Sequence, residues 1–332
     1  MNIRRFNFGK GDNMKKIGVI TIVVLVLLAI TYMLVGNYFY NYALNAKQEK
    51  EFLEDNPHLV ETVNASGGVS ATNEEKDASF VSNHKPNTRN INSFDKLKLT
   101  GYEYMNEQSS HKWAIVVHGY DSRASKMTKY IRNFYEQGYN VIAPDLRGHG
   151  NSEGDYIGMG WHDRKDILIW IQQIVKKDPN AEIALFGVSM GGATVMMTSG
   201  EELPSNVKVI IEDCGYSTVI DEFTYQLKDL FHLPKFPVMN AANTVTKLRA
   251  GYDLEEASAI KQVAKSKTPM LFIHGDADTF VPYEMLDEVY NAAKVEKEKL
   301  IVPGAGHGEA EKIDSNKYWN TVWKFVGKYI PE

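Results

Sequence analysis

The segment around residues 183–197 constrains the fold more than any other part of this 332-residue chain. A short apolar run, Ile183–Phe186, leads into Gly187-Val-Ser-Met-Gly191 and then into a second apolar run, Ala193–Met197. This pattern predicts a buried strand, a very tight turn and a helix. Glycines flank the turn because a side chain there would collide with the neighbouring strand or helix. The hydroxyl of Ser189 is therefore exposed in front of a helix N-terminus, whose free N–H groups favour negative charge.

Composition and charge limit the class of protein. The chain is 43% hydrophobic and 24% charged, which is ordinary for a globular protein with one large core. Its formal net charge of -5 argues against nucleic acid as the main partner, since phosphate binding requires a basic surface. A single cysteine, Cys214, excludes an intramolecular disulfide. It follows Ile210-Ile-Glu-Asp213 at a predicted strand end, and a lone cysteine there is more often a small buried residue than a reactive one.

The N-terminal part contains an almost unbroken apolar run from Ile17 to Gly36. About 20 such residues in a helix match the roughly 30 Å hydrocarbon core of a bilayer. Basic residues precede the run, so the positive-inside rule predicts that residues 1–16 are cytoplasmic and that the rest of the chain lies outside the cytoplasm. We therefore predict a single-pass signal-anchor at 17–36 in the cell membrane. A cleaved signal peptide is the alternative, with Ala43 and Ala46 as weak cleavage positions.

Residues 37–92 are rich in Asn, Ser, Glu and Lys and show little apolar periodicity. Such a composition buries too little surface to offset chain entropy, so we expect a flexible tether there. From residue 93 to 332, strand-like and helix-like patterns alternate, which predicts an α/β domain with a mostly parallel central sheet and helices on both faces. The alternation stops between about 214 and 266, where we expect an insertion that forms a small helical cap.

The chain offers partners that could activate the serine. A serine hydroxyl needs a base to take its proton and a third group to orient that base. His307 lies in a glycine-rich loop after the last predicted strand, and Asp278 follows the strand before it. Asp276 and Asp213 are alternatives for the acid, because each also lies at or near the end of a strand.

Several separated motifs together resemble the α/β-hydrolase superfamily. They are His118-Gly119, Asp145-Leu-Arg-Gly-His-Gly150 with Ser152, the Ser189 turn, and the loops that hold Asp278 and His307. From about residue 113 to 330 the chain most resembles bacterial esterases and lipases akin to monoacylglycerol lipases and prolyl-type aminopeptidases.

The resemblance implies an α/β-hydrolase fold and a catalytic triad of Ser189, His307 and Asp278 that works through an acyl-enzyme without metal or cofactor. It also implies an oxyanion hole formed by the backbone N–H groups of Met190 and Tyr120. In relatives the histidine at the position of His149 is structural. His118 and His274 precede glycines at strand ends, where we expect them to shape the backbone.

We expect this enzyme to hydrolyse carboxylic esters of small or medium acyl chains, with a small-molecule ester or peptide as its partner. Candidate substrate-binding residues are aromatic: Tyr120, Tyr216, Phe223 and Phe231. The same cap aromatics could equally pack the cap against the body.

Other functions stay open from the sequence. A peptidase or amidase could use the same triad, and the cap carboxylates Asp221, Glu222 and Asp229 could receive a free amine. Acyl transfer to an alcohol or amine would use the same acyl-enzyme. A non-catalytic surface binding module would be expected to lack a member of the triad, and none is missing.

Overall fold

A computed structural model describes residues 10–53, 56, 58–59, 71–108 and 110–331. The strands are β1 (Asn87–Asn92), β2 (Lys98–Tyr104), β3 (Lys112–Val117), β4 (Asn140–Pro144), β5 (Glu182–Val188), β6 (Val207–Asp213), β7 (Met270–Gly275) and β8 (Lys297–Val302). The helices are α1 (Lys10–Ala43), α2 (Ala71–Asn83), α3 (Thr128–Glu136), α4 (Asp163–Lys177), α5 (Met190–Thr198), α6 (Val219–Phe231), α7 (Lys235–Arg249), α8 (Ala259–Val263), α9 (Glu284–Ala292), α10 (Ala310–Ile313) and α11 (Ser315–Val326).

The strands form an eight-stranded sheet in the order β1-β2-β4-β3-β5-β6-β7-β8. The first two pairings, β1 with β2 and β2 with β4, are antiparallel, and every later pairing is parallel. The mostly parallel sheet predicted from the sequence is therefore confirmed.

The core lies on both faces of the sheet because successive side chains of a strand point to opposite sides. In β5, Ile183 and Leu185 join one buried cluster, and Ala184 and Phe186 join the other. Helices α4, α5 and α9 cover the first face, while α3 and α11 cover the second. Apolar residues at adjacent strand positions are thus all buried, as expected for parallel strands with two covered faces.

The loops after β3, β5, β6, β7 and β8 lie at one edge of the sheet, because the carboxyl ends of parallel strands point the same way. The range 214–266, predicted as an inserted cap, contains α6, α7 and α8. A threonine N-cap begins α6, with Thr218 Oγ1 accepting from the Asp221 N–H at 3.1 Å. Helices α6 and α7 together are named the cap.

Helix α1 contains the predicted membrane span but extends beyond it to Ala43. One stretch of this helix, Met14–Ala43, is long and apolar enough to cross a membrane. Its last third packs against α7: Tyr32 OH lies 3.0 Å from Thr244 Oγ1, and Arg249 Nη1 donates to Asn37 Oδ1 at 2.7 Å.

Parts of residues 37–92, which were predicted as a flexible tether, are folded in the structure. Residues Asn87–Asn92 form β1 in full register with β2, and α2 packs on the body through buried Phe80. Just after α1, Lys50 Nζ donates to the carbonyls of Tyr42 and Asn45, each at 3.0 Å, which turns the chain back against the end of the helix. The part of the predicted tether that covers 60–70 lies outside the described residues.

Candidate active site

Ser189 lies at the turn between β5 and α5 in a strained conformation, with φ 57° and ψ -122°. A Cβ on Gly187 would lie 2.1 Å from the Gly191 oxygen, and a Cβ on Gly191 would lie 2.2 Å from the Val117 oxygen. Larger residues cannot occupy either position without moving backbone, so the two glycines make this sharp turn possible. The Ser189 N–H donates to the Asp213 carbonyl at 2.7 Å, which holds the turn against the neighbouring strand.

The structure brings Ser189, His307 and Asp278 together in one hydrogen-bonded chain. His307 Nε2 lies 2.8 Å from Ser189 Oγ, and His307 Nδ1 lies 2.8 Å from Asp278 Oδ2. These residues come from the loops after β5, β7 and β8, which share the carboxyl edge of the sheet. With Nδ1 protonated toward the carboxylate, Nε2 is free to accept the serine proton, so the arrangement can perform nucleophilic catalysis.

Both carboxylate oxygens of Asp278 are held by neighbouring groups. Oδ1 accepts from the N–H groups of Phe280 and Val281 at 3.0 and 2.9 Å, while Oδ2 also lies 3.2 Å from His274 Nε2. Burial works to raise the pKa of Asp278, but the charges and hydrogen bonds of His307 and His274 outweigh it and hold this pKa below its ordinary value. Asp278 therefore stays ionised at neutral pH.

The pairing of Asp278 with His307 shifts the pKa of His307 in the opposite direction. Burial lowers the pKa of His307, but the charge of Asp278 and its hydrogen bond prevail and raise that pKa above its ordinary value. An imidazole with a raised pKa is a stronger proton acceptor, as general-base catalysis requires.

The alternative acids are engaged elsewhere. Asp276 Oδ1 accepts from the Gly304 N–H at 2.6 Å. Asp213 Oδ2 accepts from the Tyr318 hydroxyl at 2.8 Å, and burial raises the pKa of Asp213 to about 6. Among the described residues, the acid that hydrogen-bonds to His307 is thus Asp278.

His149 and His118 form a buried pair away from this chain of hydrogen bonds. Their ring centroids are 5.0 Å apart, and His118 Nε2 accepts from the Leu146 N–H at 3.0 Å. Burial lowers the pKa of His118 to about 4 and that of His149 to about 3. Both rings are neutral at physiological pH and shape the loop after β4.

Backbone N–H groups near Ser189 are candidates for an oxyanion hole. Helix α5 begins at Met190, so the first N–H groups of this helix lie directly behind the serine. Across from it, a Cβ on Gly119 would lie 3.6 Å from Ser189 Oγ, which places the backbone leading to Tyr120 beside the hydroxyl. The backbone N–H groups of Met190 and Tyr120 thus stay the predicted pair of oxyanion donors.

Ser189 opens into an apolar pocket of about 830 Å³, counting its opening to solvent. The predicted substrate-binding residues Tyr120, Tyr216, Phe223 and Phe231 all line it. Other wall residues come from the end of α1 and the turn after it, including Phe39, Tyr42 and Phe52.

Of the three cap carboxylates considered for a free amine, one faces this pocket. Glu222 lines the pocket and is buried, with Oε1 accepting from Gln226 Nε2 at 3.0 Å. Asp221 accepts from the Thr218 hydroxyl at 2.6 Å, and Asp229 Oδ2 lies 2.8 Å from His58 Nε2. Burial raises the pKa of Glu222 to about 8, so the carboxyl is largely neutral at pH 7.

Cys214 lies close to the triad without joining it. The ligand atoms of Cys214, Asp278 and His307 lie within 4.8 Å of one another, a spacing that a metal ion could use. Burial raises the pKa of the Cys214 thiol well above its ordinary value, so the thiol stays protonated. Metal binding needs a thiolate, and the other two side chains are bonded to each other, which favours the triad.

Two groups of site residues were not found from the sequence. His274 was interpreted as shaping a strand end, yet its Nε2 lies 3.2 Å from Asp278 Oδ2. Phe39, Tyr42 and Phe52 reach the pocket from residues predicted as tether. Aromatic residues clustered after the apolar run were the available signal, but that clustering also fits a membrane interface.

Part of this chain is similar in sequence to known proteins. Residues 108–213 match the family model described as serine aminopeptidase, S33. An uncharacterised protein of Bacillus subtilis, YqkD, is 28% identical over 214 residues, which cover 64% of this chain and 70% of that protein.

Solved structures show the same fold. An esterase from Pyrococcus furiosus matches with a TM-score of 0.59 and 22% identity, covering 80% of this chain and 98% of the esterase. An acylaminoacyl peptidase from Pyrococcus horikoshii matches with a TM-score of 0.56 and 18% identity, covering 74% of this chain and 42% of the peptidase. The predicted α/β-hydrolase fold is confirmed.

Proposed function

We propose that this α/β-hydrolase cleaves carboxylic esters through an acyl-enzyme on Ser189. The observation that carries the proposal is the continuous path from Ser189 Oγ through His307 to Asp278, with both hydrogen bonds at 2.8 Å, at the wall of an apolar pocket. The esterase and peptidase among the similar structures support a serine hydrolase of this fold.

In the first half-reaction, Ser189 Oγ attacks the ester carbonyl carbon while its proton passes to His307 Nε2. The carbonyl electron pair moves to oxygen, and we assign its stabilisation to the N–H groups of Met190 and Tyr120. Collapse of the tetrahedral intermediate breaks the ester C–O bond, and His307 gives its proton to the departing alkoxide. The products of this step are a free alcohol and an acyl-serine.

The second half-reaction reverses these roles with water. His307 takes a proton from water as the oxygen attacks the acyl carbon, and the second tetrahedral intermediate expels Ser189 Oγ, which regains its proton from His307. A carboxylic acid leaves and the enzyme returns to its starting state. Asp278 remains ionised throughout and stabilises the imidazolium that forms in both halves.

The pocket favours an ester over a substrate with a free amino group. An ammonium needs an ionised carboxylate, and the pocket carboxyl, Glu222, is kept largely neutral by burial, with its pKa raised to about 8. Asp221 and Asp229 hold other partners. The remaining surroundings of Ser189 in the pocket are chiefly apolar and aromatic, which suits an acyl chain.

The proposed location is the outer face of the cell membrane. Helix α1 is apolar enough to span a membrane, and the basic residues before its apolar run favour a cytoplasmic N-terminus. The hydrolase domain would then lie on the other side, close to the bilayer.

The proposal is tested on the full chain in detergent with a fluorophosphonate probe and with p-nitrophenyl acyl esters and aminoacyl anilides. Ser189→Ala should lose probe labelling completely, and ester turnover should fall at least about 10⁴-fold. His307→Ala should suppress both similarly. Ser205→Ala and His111→Ala change exposed side chains and serve as matched controls that keep wild-type labelling.

The alternatives predict different results. Turnover of anilides but not of esters would assign the chain to peptidases or amidases instead. A folded wild-type chain that neither labels nor turns over any of these substrates would refute the hydrolase mechanism and favour a binding module.

A further inference from the structure

The end of the membrane helix forms part of the wall of the pocket that holds Ser189. Phe39, Tyr42 and Ala43 of α1 line this pocket, together with Phe52 from the turn that follows. An anchor that only tethered the domain would have no need to reach the nucleophile. The helix is therefore a structural part of the binding site.

Aromatic contacts join this part of the wall to the cap. The ring of Phe231 lies 5.1 Å from that of Phe39 and 5.1 Å from that of Tyr42, edge-on to both. Phe52 stacks on Tyr42 at 4.6 Å. Cap, anchor and following turn thus share one aromatic cluster, which lies on the pocket side of the helix.

Close contacts fix the anchor in this place. A Cβ on Gly36 would lie 2.3 Å from the Ala241 oxygen, so α1 and α7 approach each other there at a distance that only glycine allows. Tyr120 OH donates to the Ala43 carbonyl at 2.5 Å, which ties the end of α1 to the residue proposed for the oxyanion hole. Lys50, which is 5% exposed, holds the following turn against the end of the helix.

The same helix carries a long exposed apolar surface immediately before the pocket. Leu28 is 61% exposed and Leu34 is 64% exposed, although both are apolar. Phe39 lies only five residues beyond Leu34, which is about 7.5 Å along a helix axis. A surface that suits lipid therefore ends within about two turns of the acyl-binding wall.

We propose that the anchor and the cap together form an acyl-chain pocket, and that the ester bound there is a bilayer-resident amphiphile whose acyl chain enters from the membrane. This inference rests on the proposed ester hydrolysis and names the substrate class for that site. The wall residues of α1 set which chain lengths fit, and the short distance to the lipid-facing surface explains how an insoluble chain reaches Ser189.

The first experiment measures chain-length preference in the full chain in detergent. For each variant, kcat/KM is determined for p-nitrophenyl decanoate and acetate, and their ratio is compared. Each buried methylene contributes about fourfold, from about 0.8 kcal/mol. Phe39→Ala combined with Tyr42→Ala should lower the decanoate-to-acetate ratio at least tenfold. Leu28→Ala, a change on the exposed surface of the same helix, should leave the ratio within twofold.

A second variant tests the same wall in case the double alanine variant does not fold. Ala43→Met adds bulk to the same wall and should shift the preferred chain to a shorter length while fluorophosphonate labelling persists. A labelled Ala43→Met protein with the wild-type chain-length profile would overturn the shared pocket. If the unmodified chain neither labels nor hydrolyses any ester, the proposed function fails, whereas ester turnover with unaltered ratios refutes this inference alone.

The source of the ester is tested with the chain reconstituted in vesicles. An oleoyl glycerol ester is held at constant bulk concentration and diluted within the bilayer by ether-linked phosphatidylcholine, which the enzyme cannot cleave. Entry from the bilayer predicts that the rate falls in proportion to the mole fraction of ester in the membrane. A rate that follows only the bulk concentration would show that the substrate arrives from water and would overturn this part of the proposal.

Discussion

Replacing Asp278 with asparagine tests the proposed triad most directly. The two oxygens of Asp278 accept from the N–H groups of Phe280 and Val281 on one side and contact His307 and His274 on the other. An asparagine that keeps its carbonyl toward the backbone donors must present its NH₂ to His307. Nδ1 must then accept instead of donate, so Nε2 carries the proton and cannot take one from Ser189. The opposite rotamer places NH₂ against two backbone N–H groups and loses both hydrogen bonds.

The first orientation is favoured because it keeps both backbone hydrogen bonds. It should lower kcat by about 10⁴-fold, which corresponds to about 5 kcal/mol of lost transition-state stabilisation. The effect is measured as the rate of fluorophosphonate labelling and as ester turnover, with Tm recorded to verify folding. Asp276→Asn is the matched control, because an asparagine carbonyl can still accept from the Gly304 N–H, and it should keep activity within about threefold. The reasoning is refuted if folded Asp278→Asn keeps more than a tenth of wild-type activity, or if Asp276→Asn or Asp213→Asn is the variant that abolishes it.

Two further predictions follow from pKa shifts. Asp278 raises the pKa of His307 above its ordinary value of 6.5, and catalysis needs the neutral imidazole. We therefore expect kcat/KM to fall as the pH drops through a value above 6.5. A pH profile that is flat from pH 8 to pH 5 would contradict this role of His307. Burial raises the pKa of Glu222 to about 8 from an ordinary value of 4.5, so the folded state binds this proton more tightly and loses stability as pH rises through that window. Glu222→Gln removes this pH-dependent loss of stability, so the Tm of the variant relative to wild type should increase from pH 5 to pH 8. Glu284→Gln changes an exposed position and should show no such trend.

Local sequence patterns were sufficient to predict the turn that carries Ser189 and the loops that carry His307 and Asp278. The turn around Ser189 needs glycine at two positions for steric reasons, so neighbouring residues in the sequence are enough to identify the turn. His307 and Asp278 each follow a short apolar strand, and parallel strands bring their carboxyl ends to one edge. Chain order and strand ends thus predict which residues meet before any distance is known.

Features that depend on distant partners were not predictable in the same way. Strand β1 has the sequence Asn-Thr-Arg-Asn-Ile-Asn, and Ile91 is its one buried residue, so no apolar alternation marks it as a strand. Its position follows from pairing with β2 at the edge of the sheet. Similarly, the apolar run of α1 fits a membrane span all along its length, and its periodicity does not reveal that Gly36 packs against the cap.

The triad alone does not decide between esters and amides, because the same acyl-enzyme chemistry serves both. In this chain the decision lies with the pocket. Its lining comes from parts that are far apart in sequence, among them the cap, the loop after β3 and the end of α1. A fragment that begins after α1 would keep Ser189, His307 and Asp278 but would lose Phe39 and Tyr42. Its nucleophile should still react with a fluorophosphonate, since that probe needs the triad, whereas its preference among acyl chains should broaden because one wall is missing. Reactivity and selectivity should therefore be separable in this molecule, with the acyl-chain preference measured on the full chain and lost in the fragment.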